Sequence, residues 1–292
     1  MQTLDTATAP APGASKAAIS HHYDVGNDFW RLWLDPTLTY SCALWTAETA
    51  SLEQAQLRKL DYHANEVRAS TCTRVLDIGC GWGSLLRRLT EHHGVREATG
   101  LTLSETQAQW IDTLGISNAH VRIENWWHHE PASTYNGIIS IGAFEHFARP
   151  EDSDAEKIRN YRAFFEHCRA WLKPGGRLSL QTCAYGNMER DANPFINRIV
   201  FPESELPALS DIVAACKGLF EIVQLRNDRR DYERTCREWL KNLRSKRSAV
   251  VAQFGEDVYE RYERYLKLCV IGFYSGTGAL LRITFERIGK TA

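Results

Sequence analysis

The hydrophobic pattern of the chain changes repeatedly between two periods. Short apolar runs, typical of buried strands, alternate with segments whose apolar residues recur about every three to four positions, as on one face of a helix. From about residue 52 this alternation predicts five strands, at "TRVLDIG", "EATGLTL", "AHVRIEN", "YNGIISIGAFEHF" and "KPGGRLSLQTCA". Strands that alternate with helices indicate an α/β fold with a doubly wound, mostly parallel sheet.

Several segments depart from this alternation. Residues 186–215 are long and contain several prolines, and residues 231–278 are helical and rich in aromatic side chains, so we interpret both as insertions that cover a substrate. Residues 18–51, with aromatic residues at helical spacing, are predicted to form an N-terminal helical lid. Residues 1–17 contain mostly small and polar side chains and are predicted to be a disordered leader. Residues 18–292 then form a single domain.

The composition narrows the class of partner. The chain has 292 residues and a formal net charge of −1, which gives no reason to expect nucleic acid. No apolar run approaches the roughly 18 residues of a membrane-spanning helix, and no signal peptide is visible, so we expect a cytoplasmic protein. Eight cysteines contain no CxxC pair, so neither a metal site nor a disulfide framework is predicted. The pattern leaves the oligomeric state open.

The first predicted strand ends in a run of alternating glycines. In "VLDIGCGWG", Asp77 precedes Gly79, Gly81 and Gly83. Ligands of doubly wound sheets bind outside the carboxyl ends of the strands, and glycine there lets a ligand approach the backbone, although a tight strand-to-helix turn also uses glycine. The last glycine comes one residue early for GxGxxG, and the next strand ends in "GLTLSETQ" without an acidic ribose ligand. Both features disfavour a nicotinamide dinucleotide.

Six sequence blocks, in this order, resemble the cyclopropane fatty acid synthase and mycolic acid cyclopropane synthase family of class I S-adenosylmethionine-dependent methyltransferases. They are "HYDVGNDFWRLWLDPTLTYSC", "VLDIGCGWGS", "GLTLSETQ", "SIGAFEHF", "NPFINRIVFPESELP" and "DYERTCREWLKNL". The similarity covers nearly everything after about residue 20. It implies a Rossmann-like fold, S-adenosylmethionine as cofactor, and transfer of a one-carbon unit.

The resemblance also implies which residues contact the cofactor. At the matching positions these are Tyr40, Ser41, Asp77, Gly79, Gly81, Thr102, Leu103, Gln107, Trp126 and Ile141. Gly79 and Gly81 would lie against the methionine moiety, and Thr102 and Gln107 would replace the acidic ribose ligand of other methyltransferases. Trp126 would line the adenine, but the surrounding "ENWWHH" has Asn125 where the family has glycine.

In the resembled family a bound bicarbonate acts as the catalytic base. The residues that match its ligands are Cys42, Glu145 and Tyr232, while Gln181 stands where the family has a histidine. Glutamine can hydrogen-bond to an anion but cannot accept a proton near neutral pH, so bicarbonate would be held more weakly and cyclopropane closure is less favoured. His146, next to Glu145, is a further candidate catalytic residue.

The resemblance and its departures lead to an ordered set of functional hypotheses. The leading one is C-methylation of an alkene or another electron-rich carbon in a lipid-like or specialised metabolite. Alternatives are cyclopropanation of an unsaturated acyl chain, N-methylation of a small amine, and a non-catalytic cofactor-binding protein. A carbocation would need aromatic faces around it. The candidates are Tyr23, Trp30, Tyr232, Tyr265 and Tyr274, of which the last replaces a family arginine.

Overall fold

The computed structural model describes residues 11–23, 25–187 and 199–289. Its strands are β1 (Arg74–Ile78), β2 (Glu97–Thr102), β3 (Ala119–Ile123), β4 (Tyr135–Ile141), β5 (Leu172–Tyr185), β6 (Phe220–Asn227) and β7 (Gly278–Arg287). They form one sheet in the order β3-β2-β1-β4-β5-β7-β6. The first five strands pair in parallel, and β7 runs antiparallel between β5 and β6. The predicted doubly wound, mostly parallel sheet is confirmed.

Helices connect the strands and flank the sheet. In the described part of the chain the α-helices are α1 (Lys16–Tyr23), α2 (Asn27–Arg31), α3 (Leu52–Glu66), α4 (Ser84–Glu91), α5 (Glu105–Thr113), α6 (Asp154–Trp171), α7 (Leu209–Cys216), α8 (Arg229–Ser245), α9 (Arg247–Phe254) and α10 (Glu256–Ser275). Ser51, Ser104 and Ser153 begin α3, α5 and α6, because their side chains accept hydrogen bonds from first-turn N–H groups.

Strand β1 illustrates why both faces of the sheet are covered. Val75 packs in one core with Leu86 of α4, whereas Leu76 and Ile78 belong to a second core that includes Phe164 of α6. Successive side chains of a strand point to opposite faces. A strand that is apolar at nearly every position therefore needs helices on both sides of the sheet.

A third core joins the N-terminal segment to the C-terminal helices. Phe29 and Trp30 on α2 are fully buried, and the ring of Phe29 lies 4.6 Å from that of Tyr262 on α10, centroid to centroid. The predicted lid (residues 18–51) and the predicted helical insertion (residues 231–278) therefore pack directly on each other. Aromatic side chains that recur at helical spacing in both segments supply this contact.

Residues within the predicted disordered leader, residues 1–17, make hydrogen bonds to the rest of the chain. The backbone N–H of Ala14 donates to the carbonyl of His146 at 2.8 Å, and the N–H of Ser15 donates to Glu203 Oε2 at 2.9 Å. Composition does not indicate such contacts, because backbone hydrogen bonds need no large apolar side chain; a disordered leader stays a prediction. Residues 1–10 lie outside the described part.

The predicted insertion at residues 186–215 is described only in part, since residues 188–198 lie outside the described chain. Its later portion folds back onto the sheet edge. The N–H of Glu205 donates to the carbonyl of Glu145 at 3.0 Å, which places this segment beside the fourth strand's carboxyl end.

Candidate active site

A cleft opens where β1, β2 and β4 end, and the N-terminal segment lies over it. All ten residues that the sequence assigns to the cofactor line this cleft: Tyr40, Ser41, Asp77, Gly79, Gly81, Thr102, Leu103, Gln107, Trp126 and Ile141. The strand ends meet because parallel strands point their carboxyl ends to one edge of the sheet. We call this space the cofactor cleft. The contact that each residue makes with a cofactor stays a prediction.

The turn after β1 requires glycine for two reasons. Gly79 has φ +84° and Gly81 has φ +52°, a region that side chains with a Cβ rarely adopt. A Cβ on Gly79 would also lie 2.7 Å from the Cβ of Ala143. A Cβ on Gly81 would meet no atom within 4 Å, so this glycine borders open space. The turn therefore exposes bare backbone to a ligand.

The end of β2 presents polar groups to the same cleft. Thr102 Oγ1 donates to Gln107 Oε1 at 2.8 Å, and the Ser104 side chain accepts from the N–H of Gln107. The amide oxygen of Gln107 is thus occupied. Its amide nitrogen is the group left to donate to a ligand hydroxyl.

Trp126 forms one wall of the cleft. The Asn125 side chain accepts from the N–H of Trp127 at 2.9 Å and caps the short 3₁₀ turn that begins at Trp126. The indole is only 4% exposed, and its ring lies 5.0 Å from that of Phe147. Asn125, at the position where the resembled family has glycine, therefore builds the turn that holds this tryptophan.

Two buried charged groups of opposite sign also line the cofactor cleft. Burial raises the pKa of Asp77 to about 7 and lowers the pKa of Lys59 on α3 to about 7. Lys59 Nζ donates to Ser41 Oγ at 2.8 Å. Sequence analysis missed Lys59, although Gln56, Lys59 and His63 recur on the buried face of α3 and could have signalled it.

A second cavity of ≈ 200 Å³ adjoins the cofactor cleft. We call it the apolar chamber. Tyr40, Ser41, Gly142 and His146 line both spaces, so the two are neighbours. The apolar walls of the chamber come from Phe201, Leu206, Tyr265, Leu268, Phe273 and Leu280. All five predicted catalytic residues also line it: Cys42, Glu145, His146, Gln181 and Tyr232.

Glu145 is held in the chamber by one of its two carboxylate oxygens. It lies in a 3₁₀ turn after β4, and its Oε1 accepts from the N–H of Cys183 at 2.5 Å. Its Oε2 is buried and has no hydrogen-bond partner among the described residues. Burial raises the pKa of Glu145, because the charged form loses its hydration. The carboxylate therefore has an increased affinity for a proton and one oxygen free to take it.

Arg282 and His63, which do not line the chamber, contact Gln181; neither was predicted from the sequence. Its Oε1 accepts from Arg282 Nε at 2.8 Å and lies 3.3 Å from His63 Nε2. Arg282 is fully buried and forms an ion pair with Asp228. Since an arginine only donates, the Gln181 oxygen must face Arg282, and the side chain offers its amide N–H₂ as the remaining group. His63 does not line the chamber, and burial lowers its pKa well below the ordinary value.

The other three candidates present uncharged groups at neutral pH. Burial raises the pKa of the Cys42 thiol to about 12 and raises that of the Tyr232 hydroxyl well above its ordinary value. Burial also lowers the pKa of His146 to about 4, and its Nδ1 lies 2.6 Å from Ser204 Oγ. The chamber thus combines one carboxyl group with neutral donors and a neutral imidazole.

The aromatic wall differs from the prediction. Tyr232 and Tyr265 line the chamber as expected, but Trp30 is fully buried in the aromatic core and does not line it. Tyr274 is 58% exposed and lies under the guanidinium of Arg230, 4.7 Å from ring centroid to Cζ. Helical spacing could not separate buried from exposed aromatic positions, because α10 also carries apolar residues on its exposed side, such as Ile271 beside Tyr274. The side chain of Tyr23 lies outside the described part.

The sheet order, the glycine turn and the cleft at the strand ends define the class of protein. It is an S-adenosylmethionine-dependent methyltransferase with the class I, Rossmann-like fold. A family model described as mycolic acid cyclopropane synthetase matches residues 12–283. The chain belongs to this family.

Known relatives agree with the family model. Cyclopropane mycolic acid synthase 3 of Mycobacterium tuberculosis is 30% identical over 288 residues, which cover 92% of this chain and 96% of that protein. The structure of the cyclopropane synthase MmaA2 from Mycobacterium tuberculosis has a TM-score of 0.85 at 29% identity and covers 94% of this chain and 99% of that one. Mycolic acid cyclopropane synthase CmaA1, complexed with SAH and CTAB, has a TM-score of 0.84 at the same identity and coverage.

These comparisons confirm the family predicted from the motifs and S-adenosylmethionine as the cofactor. The cofactor cleft fits that molecule. Gly79 and Gly81 expose backbone, the Gln107 amide nitrogen can donate to a hydroxyl, and Asp77 and Lys59 supply one buried charge of each sign. No helix in the described part of the chain is long and apolar enough to cross a membrane.

Proposed function

We propose that this enzyme transfers a one-carbon unit to a carbon–carbon double bond of an unsaturated acyl chain and closes a cyclopropane ring. The observation that carries the proposal is the buried carboxylate of Glu145, whose Oε2 has no partner, inside a chamber walled mainly by apolar side chains. The family and the relatives' names support ring closure, the alternative of the sequence analysis, more than simple methylation.

The chamber supplies what such a reaction needs from the protein. S-adenosylmethionine supplies an electrophilic methyl group carried on sulfur. The apolar walls exclude water and hold an alkene near the cleft, and the faces of Tyr232 and Tyr265 stabilise the positive charge that develops on the acceptor carbon. One proton must then leave the transferred carbon, and its C–H electron pair forms the third bond of the ring.

Glu145 is the group best suited to receive that proton. Its raised pKa increases its proton affinity, whereas the Gln181 amide cannot act as a base. His146 has a pKa of about 4 and an Nδ1 engaged with Ser204, which leaves it a weaker base. Bicarbonate, the family's base, stays a prediction here: Cys42, Tyr232 and Gln181 offer S–H, O–H and N–H donors to it.

One observation favours a second candidate function, methylation without ring closure. Gln181 stands where the resembled family has histidine, and Arg282 fixes its amide as a donor. If the proton-accepting set is weakened in this way, the acceptor can lose a proton from its own chain instead. The transferred methyl group then keeps all three of its hydrogens.

Deuterium labelling separates the two functions. The enzyme is incubated with S-adenosylmethionine carrying a fully deuterated methyl group and with cis-monounsaturated acyl chains, as free acids and in phospholipid vesicles. Mass spectrometry then counts the deuterons in the product. We expect one deuteron to be lost, as ring closure requires. Retention of every deuteron on carbon would overturn ring closure in favour of methylation, and a product labelled on nitrogen would overturn both.

A further inference from the structure

A buried lysine lies in the wall of the cofactor cleft without an ion-pair partner. Lys59 is 1% exposed, and its Nζ donates to Ser41 Oγ at 2.8 Å. Among the described residues a second buried lysine, Lys157, pairs with Glu205 at 3.5 Å. Lys59, by contrast, has no carboxylate oxygen within ion-pair distance among the residues that the structure describes.

The surroundings of Lys59 make its positive charge costly. An ammonium group that loses its hydration needs a close counter-charge to offset the cost, and one hydrogen bond donated to a neutral hydroxyl is a poor substitute. Arg282, a second buried cation, adds repulsion, while Asp35 and Asp77 attract Lys59 without pairing with it. Burial lowers the pKa of Lys59 to about 7. A bound anion beside it would raise that pKa again and so favour the charged ammonium form.

The position of Lys59 selects which part of the cofactor can supply that anion. Lys59 and Ser41 line the same cleft as Gly79, and Lys59 interacts electrostatically with Asp77, two residues before Gly79, against which the methionine moiety is expected to lie. S-adenosylmethionine carries a sulfonium, an α-ammonium and an α-carboxylate near neutral pH. Only the carboxylate is attracted to a lysine. Thr102 and Gln107, the predicted ribose ligands, come from a different strand and helix.

We propose that Lys59, together with the Ser41 hydroxyl that it holds, binds the α-carboxylate of S-adenosylmethionine and fixes the methionine end of the cofactor. Lys59 thereby acts as a cofactor-binding residue. This inference concerns the family's cofactor and does not rest on ring closure, because no acceptor takes part in it.

Calorimetric titration with two ligands tests the contact directly. The first ligand is S-adenosylhomocysteine, and the second is its analogue without the α-carboxylate. Lys59→Met keeps the length and apolar stem of the side chain but removes the charge. At pH 6.5 we expect it to weaken binding of S-adenosylhomocysteine by about tenfold to a hundredfold, the range for a hydrogen bond to a charged group. Binding of the analogue should stay equal or become tighter.

Ser41→Ala serves as the matched control, because a purely structural Lys59 would act only by holding Ser41. We expect Ser41→Ala to weaken S-adenosylhomocysteine binding less than Lys59→Met does. The ligand-free Lys59→Met protein should also melt at or above the wild-type temperature, since the variant removes an unpaired buried charge.

Three results would overturn the proposal. The first is an unchanged affinity of Lys59→Met for S-adenosylhomocysteine. The second is an equal loss for both ligands, which indicates a distorted cleft rather than a lost carboxylate contact. The third is a Ser41→Ala variant that reproduces the whole effect. None of these results depends on the acceptor, so failure of ring closure in the labelling experiment would leave this test intact.

Discussion

The cofactor cleft and the apolar chamber are neighbours, yet they are built in different ways. The cleft lies at the ends of β1, β2 and β4 beneath the N-terminal segment, and all ten residues assigned to it from sequence line it. The chamber is made of side chains from segments far apart in the chain, and two of the five aromatic residues expected to line it lie elsewhere. Motifs indicated the polar residues of both spaces, including all five catalytic candidates of the chamber, whereas packing decided which aromatic side chains face the chamber.

Replacing Glu145, the candidate base, should give the largest effect on turnover. It should also show that the chamber can be impaired without impairing ligand binding in the cofactor cleft. We expect Glu145→Gln to lower turnover by about 10²–10⁴-fold, because the amide keeps the shape but cannot take a proton. Affinity for S-adenosylhomocysteine should change by no more than about twofold, since Glu145 does not line the cleft. Rates are measured with the acceptor that reacts in the labelling experiment, and binding is measured by calorimetry.

The matched control for this change is Glu203→Gln, a carboxylate on a neighbouring loop that does not line the chamber. It should retain wild-type turnover. If Glu145→Gln lost affinity and turnover together, its carboxylate would support the cleft, and the separation of the two regions would fail.

The buried lysine of the cleft should make stability depend on pH. The pKa of Lys59 is about 7 in the folded protein against 10.5 in an exposed lysine, so the unfolded state binds more protons between these values. The free energy of unfolding therefore gains a contribution that rises with pH, by about 1.4 kcal/mol per pH unit. Lys59→Met lacks this contribution. Its stability advantage over wild type should shrink from pH 8 to pH 10.

Urea unfolding of both proteins at pH 8, 9 and 10 measures this difference. Because Lys59 lowers the pKa of Asp77, Lys59→Met raises it, so the comparison is made in an Asp77→Asn background, which removes this second titration. A difference in unfolding free energy that does not change with pH would mean that Lys59 keeps its ordinary pKa.

The glycine turn should be sensitive to a single methyl group. Gly79→Ala combines a positive φ with a Cβ placed 2.7 Å from the Cβ of Ala143. We expect a loss of about 1–2 kcal/mol in unfolding free energy and about tenfold weaker binding of S-adenosylhomocysteine. Gly94→Ala is the control, because Gly94 also has a positive φ but its Cβ would meet nothing within 4 Å. Gly94→Ala should lose stability but keep its affinity for S-adenosylhomocysteine. If Gly94→Ala also bound the ligand more weakly, the loss of binding in Gly79→Ala could not be assigned to the contact with Ala143.

The smallest expected effect concerns the aromatic wall of the chamber. Tyr265→Leu should lower turnover by about threefold to thirtyfold, because it removes one face that stabilises positive charge. Tyr274→Leu, at an exposed position, should leave turnover within about twofold of wild type. The reverse order of the two effects would show that the acceptor lies along the outer face of α10 rather than in the chamber.

Much of the fold was predictable because its signals are local. Apolar runs that alternate with helical patterns predicted the doubly wound sheet, and the motif after β1 predicted the cleft. The hydrogen bond from Ala14 to His146, within the predicted leader of residues 1–17, could not be predicted, because backbone hydrogen bonds leave no pattern in the sequence. The distribution of aromatic residues between core and chamber could not be predicted either. Aromatic residues recur at the same helical spacing on faces that pack in the core and on faces that line the chamber.

The sequence by itself determined the class and the cofactor, and it predicted the edge of the sheet at which the cleft opens. The class and the cofactor follow from six ordered sequence blocks that resemble one family, and the edge of the sheet follows from a strand, a glycine turn and a helix that are contiguous in the chain. Only the tertiary structure decided how Gln181 is oriented and where Lys59 points. Arg282 reaches Gln181 from 101 residues away, and Lys59 reaches Ser41 across a loop. Burial sets the charge of such groups, and burial is a property of the packed molecule.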